Sequence, residues 1–148
     1  MKKIFLILLL YYSHLYALDT KSTLNIYHEI FSSLVGEKRI SVYTKNKELR
    51  HAFQSSKKIV LSDNVENSTI VVVSSKSELI ALKKDFLENN ANPIMFTTDY
   101  RLLQESNNIV GAFYWKKGRS QLLFIKPRLD KYNIHLAPKY KPFVIDEL

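Results

Sequence analysis

The sequence predicts an α/β fold in a single domain, with a mixed, mostly parallel sheet, helices on both faces and a C-terminal β-hairpin. Helical and strand patterns alternate along the chain. The run Ser68 to Val73 is rich in β-branched residues, which is typical of a strand covered on both faces. The chain has 148 residues with only three glycines and four prolines, so it has the length of one domain and the composition of a folded one.

The first residues have the layout of a secretory signal peptide. A positively charged start precedes an unbroken apolar run from Ile4 to Tyr12, and Ala17 is the expected cleavage position. A membrane span needs roughly 20 apolar residues. The run ending at Ala17 is shorter, so cleaved export is favoured over an uncleaved N-terminal anchor. We therefore divide the chain into a signal peptide, residues 1–17, and a periplasmic α/β domain, residues 18–148.

Charge and cysteine content narrow the classes of function. The mature domain would carry 20 basic and 14 acidic residues, a net charge of +6, and no cysteine. Without cysteine it has no disulfide, no thiolate metal site and no cysteine nucleophile. Export also argues against nucleic-acid binding despite the positive charge. The sequence therefore predicts an exported domain that is stabilised by packing alone.

The first half of the mature domain alternates helix and strand. Helical spacing of apolar residues predicts a helix that Ser22 caps and Gly36 ends. Asn46 is expected to cap a second helix. Strands are predicted over Arg39–Thr44, Lys58–Ser62 and Ser68–Val73.

The second half begins with a capping box, Ser75 to Glu78, that opens a helix. Its buried side is expected to consist of Leu79, Leu82, Phe86 and Leu87. Further along, a strand is predicted over Ile94–Thr97 and a short helix from Asp99.

The C-terminal part is predicted to contain the hairpin, a short helix and an irregular tail. The two hairpin strands are Ile109–Trp115 and Gln121–Lys126, with Gly118 supplying a positive φ in the turn. Pro127 can begin the helix. Pro138 and Pro142 argue against regular structure in the tail.

Motifs of covalent chemistry are missing from the mature sequence. It has no glycine-rich phosphate loop, no Gly-x-Ser-x-Gly elbow and no closely spaced histidine pair. The mature histidines, His28, His51 and His135, lie far apart in the chain. We therefore predict no catalytic residue, no metal site and no cofactor.

Polar residues follow two of the predicted strands. They are Asp63 after the second strand, and Thr97, Thr98, Asp99 and Tyr100 after the fourth. Because ligands often bind beyond the carboxyl ends of strands in open α/β sheets, these five residues are candidates for a ligand pocket. The alternative is that Asp63 starts a turn and Asp99 caps a helix.

Basic and aromatic residues are interleaved from Trp115 to Lys141. The candidate partner-binding residues are Trp115, Lys116, Lys117, Arg119, Arg128 and Tyr132. Such residues are typical of protein interfaces, and anionic lipid heads at a membrane surface would suit them as well. The alternative is that Phe113, Trp115, Leu122 and Phe124 are core residues beside solvated lysines.

The same region resembles the end of the YfiR-like periplasmic proteins. The matching stretches are Asn108–Phe113, Gly118–Arg119, Leu122–Ile125 and Ile134–Leu136. The resemblance implies a non-enzymatic regulator that binds the periplasmic domain of an inner-membrane diguanylate cyclase and holds it inactive. The chain lacks the cysteines of that family.

Two other functions remain open from the sequence. A structural or accessory protein of an envelope machine, such as a flagellar motor or secretion complex, would share the basic, aromatic surface. A small-solute-binding periplasmic protein would use the pocket predicted at Thr97 to Tyr100. The sequence predicts no particular oligomeric state.

Overall fold

The computed structural model describes residues 20–89 and 91–148, and the predicted signal peptide lies outside them. Helix α1 covers residues 20–35, and Gly36 follows it with a left-handed φ of 71°. Within the described residues, no helix is long and apolar enough to span a bilayer.

Strands and helices then alternate, as the sequence predicts. In the first half they are β1 (Ile40–Thr44), α2 (Lys47–Gln54), β2 (Ile59–Leu61), β3 (Ile70–Val73), α3 (Lys76–Asn89) and β4 (Ile94–Thr97). In the second half they are α4 (Leu102–Glu105), β5 (Ile109–Lys116), β6 (Arg119–Ile125), α5 (Lys126–Lys131), a 3₁₀ helix (Pro138–Phe143) and β7 (Val144–Ile145).

The strands form one mixed sheet in the order β2-β1-β3-β4-β5-β6-β7. The first five strands in that order run parallel, β6 is antiparallel to β5, and β7 is parallel to β6. Strand β2 pairs with one side of β1. Strand β3 then pairs with the other side of β1, and β4 continues outward from β3. Because crossovers are right-handed, this reversal places α2 and α3 on opposite faces of the sheet.

Apolar side chains form a layer on each face of the sheet. Helices α1 and α2 bury residues such as Phe31 and Phe53 on one face. Helices α3 and α4 bury Leu82 and Leu103 on the other. All four residues of β3 are buried, and they alternate between the two layers. The prediction of a mixed α/β sheet with helices on both faces is confirmed.

The prediction of an irregular tail is wrong from Pro138 onward, although residues 134–137 are irregular. Pro138 stands at the start of the 3₁₀ helix, where a missing N–H costs no hydrogen bond, and Pro142 fits the short helix because its φ is already near the helical value. Val144 and Ile145 then pair with Phe124 and Ile125 at the outer edge of β6.

One apolar residue of α3 also departs from prediction. Leu79 and Leu82 are buried, as expected, whereas Leu87 is exposed. Leu87 is exposed although the neighbouring Phe86 is partly buried against the second core layer. Apolar spacing alone does not show where a helix leaves the core.

Candidate partner-binding hairpin and adjoining cleft

The β5–β6 hairpin extends beyond the rest of the sheet. Strand β4 pairs with β5 only as far as Ala112, opposite Thr97. Strands β5 and β6 continue to pair with each other as far as Lys116 and Arg119. We call residues 113–122 the hairpin tip. It projects from the carboxyl edge of the sheet, where the parallel strands end.

A tight turn closes the hairpin tip. Lys117 and Gly118 have φ angles of 51° and 75°, which is the pattern of a two-residue type I′ turn. This turn matches the right-handed twist of the strands, so the tip continues the twist of the sheet. The predicted turn with a positive φ at Gly118 is confirmed.

Two side chains on the same face of the hairpin tip differ sharply in exposure. Phe113 is buried and contacts the Tyr27 ring edge-on, with 5.3 Å between the ring centroids. Trp115 lies two residues further on the same face and is 68% exposed. The alternative that both are core residues therefore holds for Phe113 and is wrong for Trp115.

The opposite face of the hairpin tip is braced by aromatic and cationic side chains. The rings of Tyr114 and Tyr100 pack together at 4.9 Å. The ammonium of Lys116 lies 5.3 Å from the centre of the Tyr100 ring, within the range of a cation–π interaction. Tyr100 thus supports the hairpin.

The hairpin tip is strongly basic. Lys116, Lys117 and Arg119 are all exposed. Within the part of the chain that the structure describes, none of the three pairs with a carboxylate. The hairpin tip therefore presents three uncompensated positive charges beside the exposed indole of Trp115.

Arg128, a predicted partner-binding residue, has a structural role in the fold and lies apart from the hairpin tip. Its guanidinium donates hydrogen bonds of 2.8–2.9 Å to the backbone carbonyls of Leu103, Ser106 and Ile109. Burial lowers the pKa of the Arg128 guanidinium, but the group remains charged because its ordinary pKa is so high. Both terminal nitrogens of the guanidinium are therefore committed to the fold.

Tyr132 also lies apart from the hairpin tip. It follows α5, and β6 has by then returned the chain to the opposite edge of the sheet, where the parallel strands begin. Its ring is half-buried against the first core layer. The six candidate partner-binding residues therefore form two groups, and only Trp115, Lys116, Lys117 and Arg119 share the hairpin tip.

The predicted ligand pocket does not form as expected, since its five residues are separated. Asp63 follows β2, and its side chain is 97% exposed and lies 3.7 Å from Arg50. Strands β1 and β3 separate it from the end of β4. Asp63 and Thr97 therefore cannot line one pocket.

Thr97 and Asp99 have structural roles at the end of β4. The fully buried Thr97 hydroxyl donates to the carbonyl of Val73 at 2.8 Å. The Asp99 carboxylate accepts three hydrogen bonds of 2.7–3.1 Å from Nε and Nη2 of Arg101, and these hold the pKa of that carboxyl below its usual range. It also accepts the backbone N–H of Arg101, so it begins the turn before α4.

A cleft of about 620 Å³ opens at the carboxyl edge of the sheet beside the hairpin tip. We call it the hairpin cleft. Its walls come from α1, the first turns of α2, the residue after β4 and the end of β5. Its lining includes Thr23, Tyr27, Glu48, His51, Thr98 and Trp115. Thr98 is the one predicted pocket residue that lies here.

Hydrogen bonds connect the loops that follow β1, β3 and β4 at the sheet edge next to the cleft. The Ser74 hydroxyl accepts hydrogen bonds from the Asn46 amide at 3.1 Å and from the Thr98 hydroxyl at 2.8 Å. The Glu78 carboxylate accepts the backbone N–H groups of Ser74 and Lys45 at 2.7 and 3.2 Å. The ends of β1, β3 and β4 are therefore fixed relative to one another.

Local sequence signals identify some of these residues but not their assembly. Asn46 caps α2, as predicted, by accepting the Leu49 N–H at 3.1 Å. Ser75 caps α3 by accepting the Glu78 N–H at 3.3 Å. The role of Tyr27 in the cleft gave no sequence signal, because its helical spacing marks it simply as core.

No family model, no curated protein and no solved structure matches the chain. Among the residues that the structure describes, no three His, Asp or Glu side chains gather in a way that could hold a metal ion.

Proposed function

We propose that the protein is an exported regulator that binds the periplasmic part of an inner-membrane signalling protein through its hairpin tip. The observation that carries the proposal is the exposed Trp115 on a projecting hairpin, beside three positive charges that have no carboxylate partner among the described residues. The resemblance to the YfiR-like proteins favours a diguanylate cyclase as the partner. In this proposal the protein breaks no covalent bond.

The hairpin tip has the composition of a binding hot spot. A tryptophan buries a large area on binding and loses few rotamers, and tryptophan and arginine are enriched among the residues that dominate interface energies. Covering an exposed indole is worth roughly 2 kcal/mol from apolar area alone. The three cations would select an acidic surface and speed the encounter with it.

The hairpin tip is also held in place before any partner arrives. The type I′ turn, the Tyr100–Tyr114 ring contact and the Lys116 cation–π contact restrict its movement. A preorganised contact surface loses less conformational entropy on binding. The positive tip additionally favours contact with anionic lipid heads beside a membrane-embedded partner.

Regulation in this proposal is a shift between two states of the partner. The regulator binds the inactive state more tightly than the active state, so its presence raises the population of the inactive one. The regulator controls its partner only to the extent that these two affinities differ.

The test is capture of envelope proteins by the mature domain and by two charge-reversed variants. In the first, Lys116→Glu, Lys117→Glu and Arg119→Glu reverse the hairpin tip. In the matched control, Lys38→Glu, Lys57→Glu and Lys58→Glu reverse three exposed lysines near the opposite edge of the sheet. We expect an inner-membrane signalling protein to be captured by the wild-type and control domains and to be lost from the tip variant.

Three results would count against the proposal. Equal loss from both variants would show that net charge alone retains the protein. Undiminished capture by the tip variant would place the interface elsewhere. Capture of a motor or secretion component in place of a signalling protein would favour the accessory function.

A further inference from the structure

Tyr27 is a buried residue whose hydroxyl faces the hairpin cleft. The residue is 3% exposed, and its ring lies edge-on to Phe53 and Phe113 at 5.6 and 5.3 Å. Its hydroxyl makes no hydrogen bond to any residue that the structure describes. Because the described residues do not use this hydroxyl, its hydrogen bonds are open to water or to a ligand in the cleft.

The hairpin cleft is the route by which that hydroxyl is reached. Tyr27 lines the cleft. No polar side-chain atom of the described residues is both fully buried and without a partner, so the Tyr27 oxygen retains access to solvent. It is therefore placed to donate to a molecule in the cleft, or to accept from one.

The remaining lining divides into an aromatic wall and a polar rim. Phe113 and Trp115 form the wall, and Trp115 offers an indole face that the protein itself does not cover. Glu48 and His51 lie on the rim one helical turn apart on α2, and both are exposed. Thr23 adds a half-buried hydroxyl.

The chemistry of this lining favours a sugar over a charged ligand. The cleft has no cluster of like charges, which a phosphate or a carboxylate-rich ligand would require. A hexose ring has C–H faces that stack on an indole and hydroxyl edges that exchange hydrogen bonds with tyrosine, histidine, carboxylate and threonine groups. The volume of about 620 Å³ is in the usual range for a small-molecule site.

We propose that the hairpin cleft binds a neutral sugar ring, stacked on Trp115 and hydrogen-bonded to the Tyr27 hydroxyl. Since Trp115 also belongs to the hairpin tip, an occupied cleft would alter the surface offered to a protein partner. The sugar site itself does not depend on that partner, and its test includes none.

Trp115 is the single tryptophan of the chain, so its fluorescence reports on this cleft alone. The mature domain is titrated with triacetylchitotriose and with maltotriose. We expect at least one of them to shift the emission to shorter wavelength in a saturable way, because the sugar covers the exposed indole.

The decisive variant is Tyr27→Phe, which removes the hydroxyl and keeps the ring. Loss of one neutral hydrogen bond should weaken sugar binding about 3- to 10-fold. The matched control is Tyr140→Phe, a buried tyrosine that does not line the cleft and that should leave the affinity unchanged. Urea unfolding of both variants confirms that they are folded.

A second readout does not use the fluorophore. Saturation-transfer NMR observes the sugar directly, and Trp115→Ala should abolish the signal, since this exposed side chain is not needed for folding. The proposal is overturned if neither sugar binds wild type, if Tyr27→Phe binds as tightly as wild type, or if benzylamine saturates the cleft while both sugars fail.

Discussion

At the scale of single residues, Arg128 holds together parts of the fold that are distant in sequence. Its guanidinium bonds to carbonyls that follow or belong to α4 and to the first residue of β5. Arg128→Met keeps an apolar stem and removes every donor, leaving three carbonyls without this partner. We expect a loss of roughly 2–4 kcal/mol in the free energy of unfolding, measured by urea denaturation.

Arg119→Met is the matched control for this substitution. Arg119 is exposed on the hairpin tip, so its replacement should change the free energy of unfolding by less than about 0.5 kcal/mol. Equal effects at the two positions would contradict the structural role of Arg128.

The buried Tyr27 should make the stability of the fold depend on pH in the alkaline range. Burial raises the pKa of its hydroxyl well above the ordinary value. Above about pH 10 the unfolded chain releases this proton while the folded protein retains it, so the free energy of unfolding falls as pH rises. In Tyr27→Phe this decrease between about pH 9 and pH 11 should be shallower.

Urea unfolding at the two pH values measures the effect. The same measurement on the wild-type protein provides the reference slope. A wild-type slope in Tyr27→Phe would show that this hydroxyl is not held protonated by burial.

At the scale of elements, two glycines of the hairpin are required for different reasons. A Cβ on Gly111 would lie 2.6 Å from the Leu123 carbonyl oxygen and 2.7 Å from the Phe124 ring, so alanine forces the strands apart. A Cβ on Gly118 would have no atom within 4 Å. Alanine at this position is therefore disfavoured only by the left-handed backbone conformation, with φ of +75°.

We therefore expect Gly111→Ala to cost about 2–3 kcal/mol of unfolding free energy and Gly118→Ala about 1 kcal/mol. Thermal and urea unfolding of the two variants measures the difference. A larger cost at Gly118 would mean that the hairpin depends on its turn more than on the close approach of its strands.

Elements with strong local signals were predictable from the sequence. The hairpin turn with a positive φ at Gly118, the cap at Asn46 and the buried run of β3 each depend on residues close together in the chain. The structure of the C-terminal tail was not predictable from the sequence, because β7 forms only by pairing with β6, which is distant in the chain. Proline also blocks α-helix more strongly than it blocks a short 3₁₀ helix.

At the scale of the whole molecule, the order of the strands decides which residues meet. The hairpin cleft joins Tyr27, Asn46, Thr98 and Trp115 from four separate segments. A single sequence shows that strands and helices alternate, but it does not show that the order reverses between β1 and β3. For the same reason, proximity in sequence wrongly grouped Arg128 with Trp115.

The projecting hairpin tip is the feature of the whole molecule on which the proposed function depends. Photo-crosslinking in living cells tests it most directly, with benzoylphenylalanine in place of Trp115 and, as control, in place of Lys57 near the opposite edge of the sheet. We predict that position 115 crosslinks to one inner-membrane signalling protein and that position 57 does not. Absence of any crosslink at position 115, or the same product from both positions, would contradict the account.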